Sequence, residues 1–312
     1  MIHLICPNPA IDRTLLVKGF QPEIPNRPYE VREYAGGKSF NVAYAISFEN
    51  TNVDFVVHTI LGGRNGAAVR EIAEANGTPV RPVMIDVNTR LCNIIMDTES
   101  ATTYPIYENS FVLETQLLDR FTNSLTDAIA PGDTIVFSGS LMKGMPSDYI
   151  ASFIRQFRSQ NVKIFVDTSG PALSASYQEK PYAIKINDEE IAELFPDKKL
   201  ETMSDYLHLL KSPLTKDIPI FIVTLGAKGI IGKVHDEYYA ISAKKVDAKN
   251  PIASGDFFLG GLVKQDTLGV SPKEMLSKAI TYSTANVLNW FPELKEEDLE
   301  SIATNLTIKK FH

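Results

Sequence analysis

Short β-branched runs alternate with longer amphipathic ones along most of this 312-residue chain, and that alternation limits the fold more than any other feature. The strand-like runs are Ile2–Cys6, Val53–Val57, Thr134–Phe137, Lys163–Val166, Ala183–Ile186 and Ile218–Val223. The helix-like ones are Gly66–Asn76, Glu114–Ile129, Ser147–Ser159, Met203–Leu210 and Lys273–Asn289. Within Ser147–Ser159, the side chains of Tyr149, Ile150, Phe153, Ile154 and Phe157 fall on one helical stripe. Strands apolar throughout and separated by helices predict an α/β fold with a mostly parallel sheet covered on both faces. Residues 12–36 and 88–110 break the alternation with strand and turn signals, including a hairpin that turns at Thr98–Ala101. They predict a small second sheet projecting from the main body.

A net charge of -7 argues against nucleic acid as the main partner, because a phosphate backbone demands a basic face. No apolar stretch approaches membrane-spanning length and the amino-terminal run lacks a basic region, so no membrane partner and a cytoplasmic location are expected. Cys6 and Cys92 lie in apolar runs and the five histidines are scattered, which reads as buried thiols and no zinc site.

Two glycine-bearing segments carry the chemistry. The loop Asn250-Pro251-Ile252-Ala253-Ser254-Gly255-Asp256 opens into the apolar run Phe257–Val263. A small-residue loop entering a helix aims backbone N–H groups and the positive end of the helix dipole at one point, a place for anions. Asp256 beside it is placed to take a proton from an alcohol attacking a phosphoryl group; the segment also reads as an ordinary loop and cap. Far upstream, Gly36-Gly37-Lys38-Ser39-Phe40-Asn41 again runs from a glycine pair into an apolar helical pattern, with a lysine and an asparagine at its mouth.

With Asn8-Pro9-Ala10-Ile11-Asp12 near the start, these segments resemble, in order and over essentially the whole length, the PfkB carbohydrate kinase family. The resemblance implies a single ribokinase-like domain over 1–312: a three-layer α/β/α sandwich with a β-sheet lid built from 12–36 and 88–110. It implies ATP and Mg²⁺ as cofactors, a sugar substrate, and a homodimer joined through the lid. Asp256 is then the catalytic base, with Ala253, Ser254 and Gly255 forming the anion loop. Asp12, Gly36, Gly37, Lys38 and Asn41 bind the sugar, while Ser138, at a strand end, is open between sugar contact and tight packing. Arg90, after Thr89, grips with Lys38 the phosphate that a hexose phosphate already carries, since a guanidinium offers two parallel donors.

Lys185, Asn187, Thr224, Gly226 and Gly229 fall to the nucleotide in this resemblance. Asn286 is open between a place near the adenine and a buried, hydrogen-bonded asparagine. Asn187-x-x-Glu190 matches the family element in which Glu190 holds Mg²⁺ through water; as pure structure it reads as a capping box. Asp167-Thr168-Ser169-Gly170 reads as a strand-end turn in a supporting position near the phosphates. The Thr89-Arg90-x-Cys92 run points toward tagatose 6-phosphate as substrate, with fructose 1-phosphate as the alternative. Ala253 and Ser39 stand where the family usually has glycine, the only support for a non-catalytic sugar-phosphate sensor. An active kinase bearing alanine at 253 is expected to hold that residue at negative φ.

Overall fold

The computed structural model describes residues 1–50 and 52–311. Ten strands form one sheet in the order β14-β13-β12-β11-β10-β9-β8-β1-β4-β5. Its parallel part comprises β1 (Ile2–Cys6), β4 (Phe55–Gly62), β5 (Val80–Ile85), β8 (Thr134–Ser138), β9 (Lys163–Asp167), β10 (Ala183–Asn187) and β11 (Ile220–Thr224). One flank turns antiparallel through β12 (Ile230–Val234), β13 (Glu237–Ala243) and β14 (Leu306–Phe311).

Successive residues of β1 point to opposite faces, and both faces are covered. Ile2, Leu4 and Cys6 join one core with α1 (Lys38–Ser47), α2 (Gly63–Ala75), α8 (Ser254–Leu268) and α9 (Pro272–Val287). Ile5 joins the other, under α3 (Thr115–Thr126), α4 (Tyr149–Phe157), α5 (Gly170–Gln178), α6 (Asp188–Leu194) and α7 (Met203–Lys211). A last helix, α10 (Glu296–Ala303), packs through Leu299 and Ile302 beside Phe257 and Tyr282. The three layers are those of the ribokinase-like sandwich.

The expected strands are all present, with shifted ends. The predicted Val53–Val57 begins two residues late and runs on to Gly62, and Ile218–Val223 becomes Ile220–Thr224. In both cases the apolar run includes residues that only approach the sheet. The helix expected from Gly66 starts at Gly63.

The second sheet has the order β3-β2-β6-β7, from β2 (Ala10–Val17), β3 (Glu30–Gly36), β6 (Arg90–Asp97) and β7 (Thr102–Tyr107). The β6–β7 hairpin turns at residues 98–101, as expected. Leu16, Ile94 and Met96 on its inner face pack with Phe291 and Ile252, which seats the lid on the segments flanking α8 and α9. Among the described residues no helix is long and apolar enough to cross a membrane.

Candidate active site

Parallel strands bring their carboxyl ends to one edge, and the predicted residues gather there. Ser138, Asp167, Asn187 and Thr224 end β8, β9, β10 and β11. The amino ends of α1 and α8 deliver Lys38, Asn41 and Asp256 to the same edge. Asn41 Nδ2 donates to Asp256 Oδ2 at 2.9 Å across 215 residues of sequence. Lys185 Nζ donates to Asp167 Oδ2 at 2.8 Å, both groups buried. A Cβ on Gly255 would lie 3.0 Å from Lys185 Nζ, and one on Gly139 would lie 3.1 Å from Lys38 Cδ. Lys185 thus lies against the loop that holds Asp256, and the charge of Lys38 also acts on that carboxyl.

Burial raises the Asp256 carboxyl to about 6, with Asp167 adding to the rise and Lys38, Asn41 and Lys185 opposing it. Such a group is ionised at neutral pH yet basic enough to accept an alcohol proton. Burial alone pulls Lys185 down, but Asp167, Asp256 and Glu190 outweigh it and the ammonium is held charged.

The anion loop departs from expectation at Ala253, which adopts φ 67°, ψ -3°, the left-handed region, where negative φ was expected. The reason lies in the bonds that it must make. Its carbonyl accepts from both Asp256 N–H (2.8 Å) and Phe257 N–H (2.9 Å) to start α8. Asn286 Nδ2 meanwhile holds the Ile252 carbonyl at 2.8 Å, and Asn250 Oδ1 accepts from Ile252 N–H at 2.9 Å. The chain is pinned on both sides and the turn is left to residue 253. The Ser254 N–H, expected to face the anion, bonds back to the Pro251 carbonyl at 3.4 Å. Ser39 takes the second unusual glycine place for a packing reason: its hydroxyl donates to the buried Ile5 carbonyl at 2.6 Å.

Among the residues expected at the sugar, Asp12 lies against Gly36, where any side chain would fall on its carboxylate. Burial raises Asp12 to about 6, opposed by Arg90, the Gly37 N–H and Cys92. Gly37, at φ 114°, needs to be glycine. Arg90 reaches the Asn8 carbonyl through one terminal nitrogen at 3.5 Å, while its Nε is buried without a partner. A small cavity of about 10 Å³ there is lined by Asn8, Asn88, Thr89, Asn109 and Ser110 as well as Arg90. A buried guanidinium nitrogen with no acceptor asks for an anion. The hydroxyls of Ser138 and Thr168 are likewise buried without partners.

Among the residues expected at the nucleotide, Asn187 and Glu190 form the capping box, each accepting from the other's N–H at 2.8 Å. Gly226, at φ 56° with open space around it, allows close approach of a ligand, but a side chain at Gly229 would strike the Ile241 carbonyl. Gly229 is thus required by the sheet, whose β11–β12 pair is the hairpin that this turn equally suited. Asn286 is buried, gives its amide to Ile252 and leaves Oδ1 unpartnered. Sequence reasoning underrated Asp167, because only the placement of β9 beside β10 shows that it faces Lys185.

No group of three or more His, Cys, Asp or Glu side chains among the described residues is arranged to hold a metal ion. The donor set, in which Asp167, Glu190 and Asp256 all act on Lys185, fits a cation that arrives on phosphates and keeps its own waters.

A basic and acidic cluster at the carboxyl edge of a parallel sheet, beside a small sheet that carries a half-buried arginine, fits an ATP-dependent sugar kinase of ribokinase-like fold. The chain belongs to the pfkB family carbohydrate kinases, matching that family over residues 5–289. It is 27% identical over 290 residues to the tagatose-6-phosphate kinase of Staphylococcus epidermidis, covering 92% of each chain. Among solved structures it resembles phosphofructokinase-2 from Escherichia coli in complex with substrates and products, with a TM-score of 0.88, 21% identity, and 97% and 98% of the two chains covered. It also resembles a Thermotoga maritima chain described as a possible 1-phosphofructokinase, with a TM-score of 0.86, 20% identity and full coverage of both chains.

Proposed function

We propose that the protein phosphorylates a ketohexose monophosphate with ATP, taking tagatose 6-phosphate to the 1,6-bisphosphate. The observation that carries this reading is the buried, unpartnered Nε of Arg90, whose charge acts on Asp12: a donor without an acceptor beside the expected sugar carboxylate suits a substrate that already bears a phosphate. The 27% identity to a tagatose-6-phosphate kinase supports the choice of sugar.

In this reading the sugar lies between Asp12 and Asp256 with its phosphate on Arg90. Asp256 accepts the proton of the free primary alcohol as the oxygen attacks the γ-phosphorus in line and the bond to the β-phosphate oxygen breaks. Lys38, expected with Arg90 on the phosphate that the sugar carries, acts instead on Asp256 and, with Lys185, offsets the charge on the transferring group, to which the start of α8 adds its dipole. Glu190 and Asp167 would hold the waters of Mg²⁺, which when bound neutralises the polyphosphate. Asn41 keeps the Asp256 carboxylate turned toward the alcohol.

The test is ADP formation with tagatose 6-phosphate, fructose 1-phosphate, fructose 6-phosphate and the parent sugars. The phosphorylated ketohexoses should be preferred, tagatose 6-phosphate most. Asp256→Asn should still bind sugar phosphate and nucleotide while losing about two to four orders of magnitude in turnover, the scale of a missing general base. Equal rates on sugars with and without phosphate overturn the substrate class, and unimpaired turnover in the variant removes Asp256 from the mechanism.

A further inference from the structure

The register of the lid places four side chains in one row across all its strands. Tyr34 pairs with Asp12, Asp12 with Cys92, and Cys92 with Tyr107. Directly paired residues share a face, so this row lies on the face that carries Asp12. Ala10 pairs with Arg90, which puts Arg90 two residues along β6 on the same face. Tyr34 is accounted for by packing, since its ring stands 6.2 Å from that of Phe291. Tyr107 is not: it ends the edge strand and is 53% exposed, on the face that also carries Asp12 and Arg90.

Its surroundings are those of a ligand contact. Burial pushes the phenol up, Asp12 and Cys92 add to that and Arg90 opposes, so the hydroxyl stays protonated and able to donate at neutral pH. Just beyond Tyr107 the chain passes Asn109 and Ser110, which line the cavity beside Arg90. The aromatic ring is rigid, with few torsions to fix on binding, and it stands at the rim of the site.

We propose that Tyr107 is a specificity-determining residue of the sugar site, its hydroxyl donating to the phosphate that the hexose already carries and completing with Arg90 a clamp at the lid rim. This rests on the reading of the substrate as a hexose phosphate. A neutral phenol and a guanidinium together select a phosphorylated sugar end, whereas neither gains from an unphosphorylated one.

Tyr107→Phe keeps the ring and removes only the donor. With the sugar phosphate that the parent enzyme prefers, KM should rise about tenfold to a hundredfold, the scale of one hydrogen bond to a charged group. The turnover number, KM for ATP and the weak activity on the unphosphorylated sugar should stay within about twofold, since those terms do not involve the bond. Arg90→Ala should shift the same constant in the same direction. An unchanged KM for the sugar phosphate in Tyr107→Phe overturns the proposal, as does an equal loss on both kinds of sugar, which would mark a merely structural tyrosine. A parent enzyme with no preference for phosphorylated sugars overturns the substrate reading and this proposal together, whereas a clear preference that Tyr107→Phe leaves intact overturns only the proposal.

Discussion

Ala253 carries the start of α8 in a conformation that costs an L-residue about 1–2 kcal/mol. Two smaller terms oppose removing that cost. Glycine would add freedom to the unfolded chain, worth about 0.4–1 kcal/mol. It would also lose a methyl packed against the Phe257 and Tyr282 cluster, worth at most about 0.8 kcal/mol. The sum is close to zero, which explains how alanine persists where glycine is the commoner choice. Ala253→Gly should therefore melt with a stability within about 0.5 kcal/mol of the parent, and Ala253→Val, β-branched at positive φ, should lose more than about 1 kcal/mol. A stable valine variant would mean that residue 253 does not hold this angle.

At the scale of elements, α8 is the piece on which the site depends. It is buried from Asp256 to Asp266: Phe257–Val263 is apolar and small on all sides, and Asp256, Lys264 and Asp266 are buried on bonds to Asn41, the Phe48 carbonyl and Lys163. A Cβ on Gly260 would lie 2.6 Å from Ala45 Cβ and 2.8 Å from the Val42 carbonyl, so α8 and α1 touch backbone to backbone. That contact sets the spacing of Asn41 and Asp256 one turn further on. Gly260→Ala should push the helices apart and lengthen the 2.9 Å bond that favours the ionised Asp256. In the parent, turnover should fall below about pH 6 as Asp256 protonates; in the variant that acid limb should move to higher pH. A lower rate with an unmoved limb would place the effect elsewhere. Helices and strands were legible in the sequence wherever periodicity was long, as in α4, and the motif residues fell at the predicted strand ends. Illegible were β5, interrupted by Arg81 and Pro82, β12, which carries Gly232 and Lys233 inside its apolar run, β13 and β14, and the pairs Asn41–Asp256 and Lys185–Asp167, which exist only once the sheet order is known.

Across the whole molecule, the amino ends of the parallel strands hold a second polar cluster, far from the chemistry. His3 Nδ1 meets His58 Nε2 at 2.9 Å and His3 Nε2 meets Asp133 at 3.0 Å, both rings buried. Burial lowers both imidazoles, and with His3 and Arg81 nearby His58 falls to about 3. Between its ordinary value of 6.5 and about 3 the unfolded chain binds a proton that the folded one refuses. The stability from this group is thus complete above pH 6.5 and lost progressively as the pH falls through that window. His58→Asn, which keeps a donor for His3, should flatten the pH dependence of unfolding there by up to about 1.4 kcal/mol per pH unit. An identical slope in both proteins would show that His58 titrates normally. We also propose that the outer lid face, where Val31, Tyr104 and Ile106 are exposed, meets a second copy of the chain. Sedimentation should then give a dimer that Ile106→Asp dissociates, and a monomeric parent would refute it.

Gly36 closes β3 and Gly37 caps α1, so no loop separates the lid sheet from the helix that carries Lys38 and Asn41. In the proposed reading, a sugar seated against Asp12 would bear on the same turn that aims those side chains. With no slack between sheet and helix, a substitution that tilts β3 should also turn the start of α1 and so move Lys38 and Asn41 against Asp256.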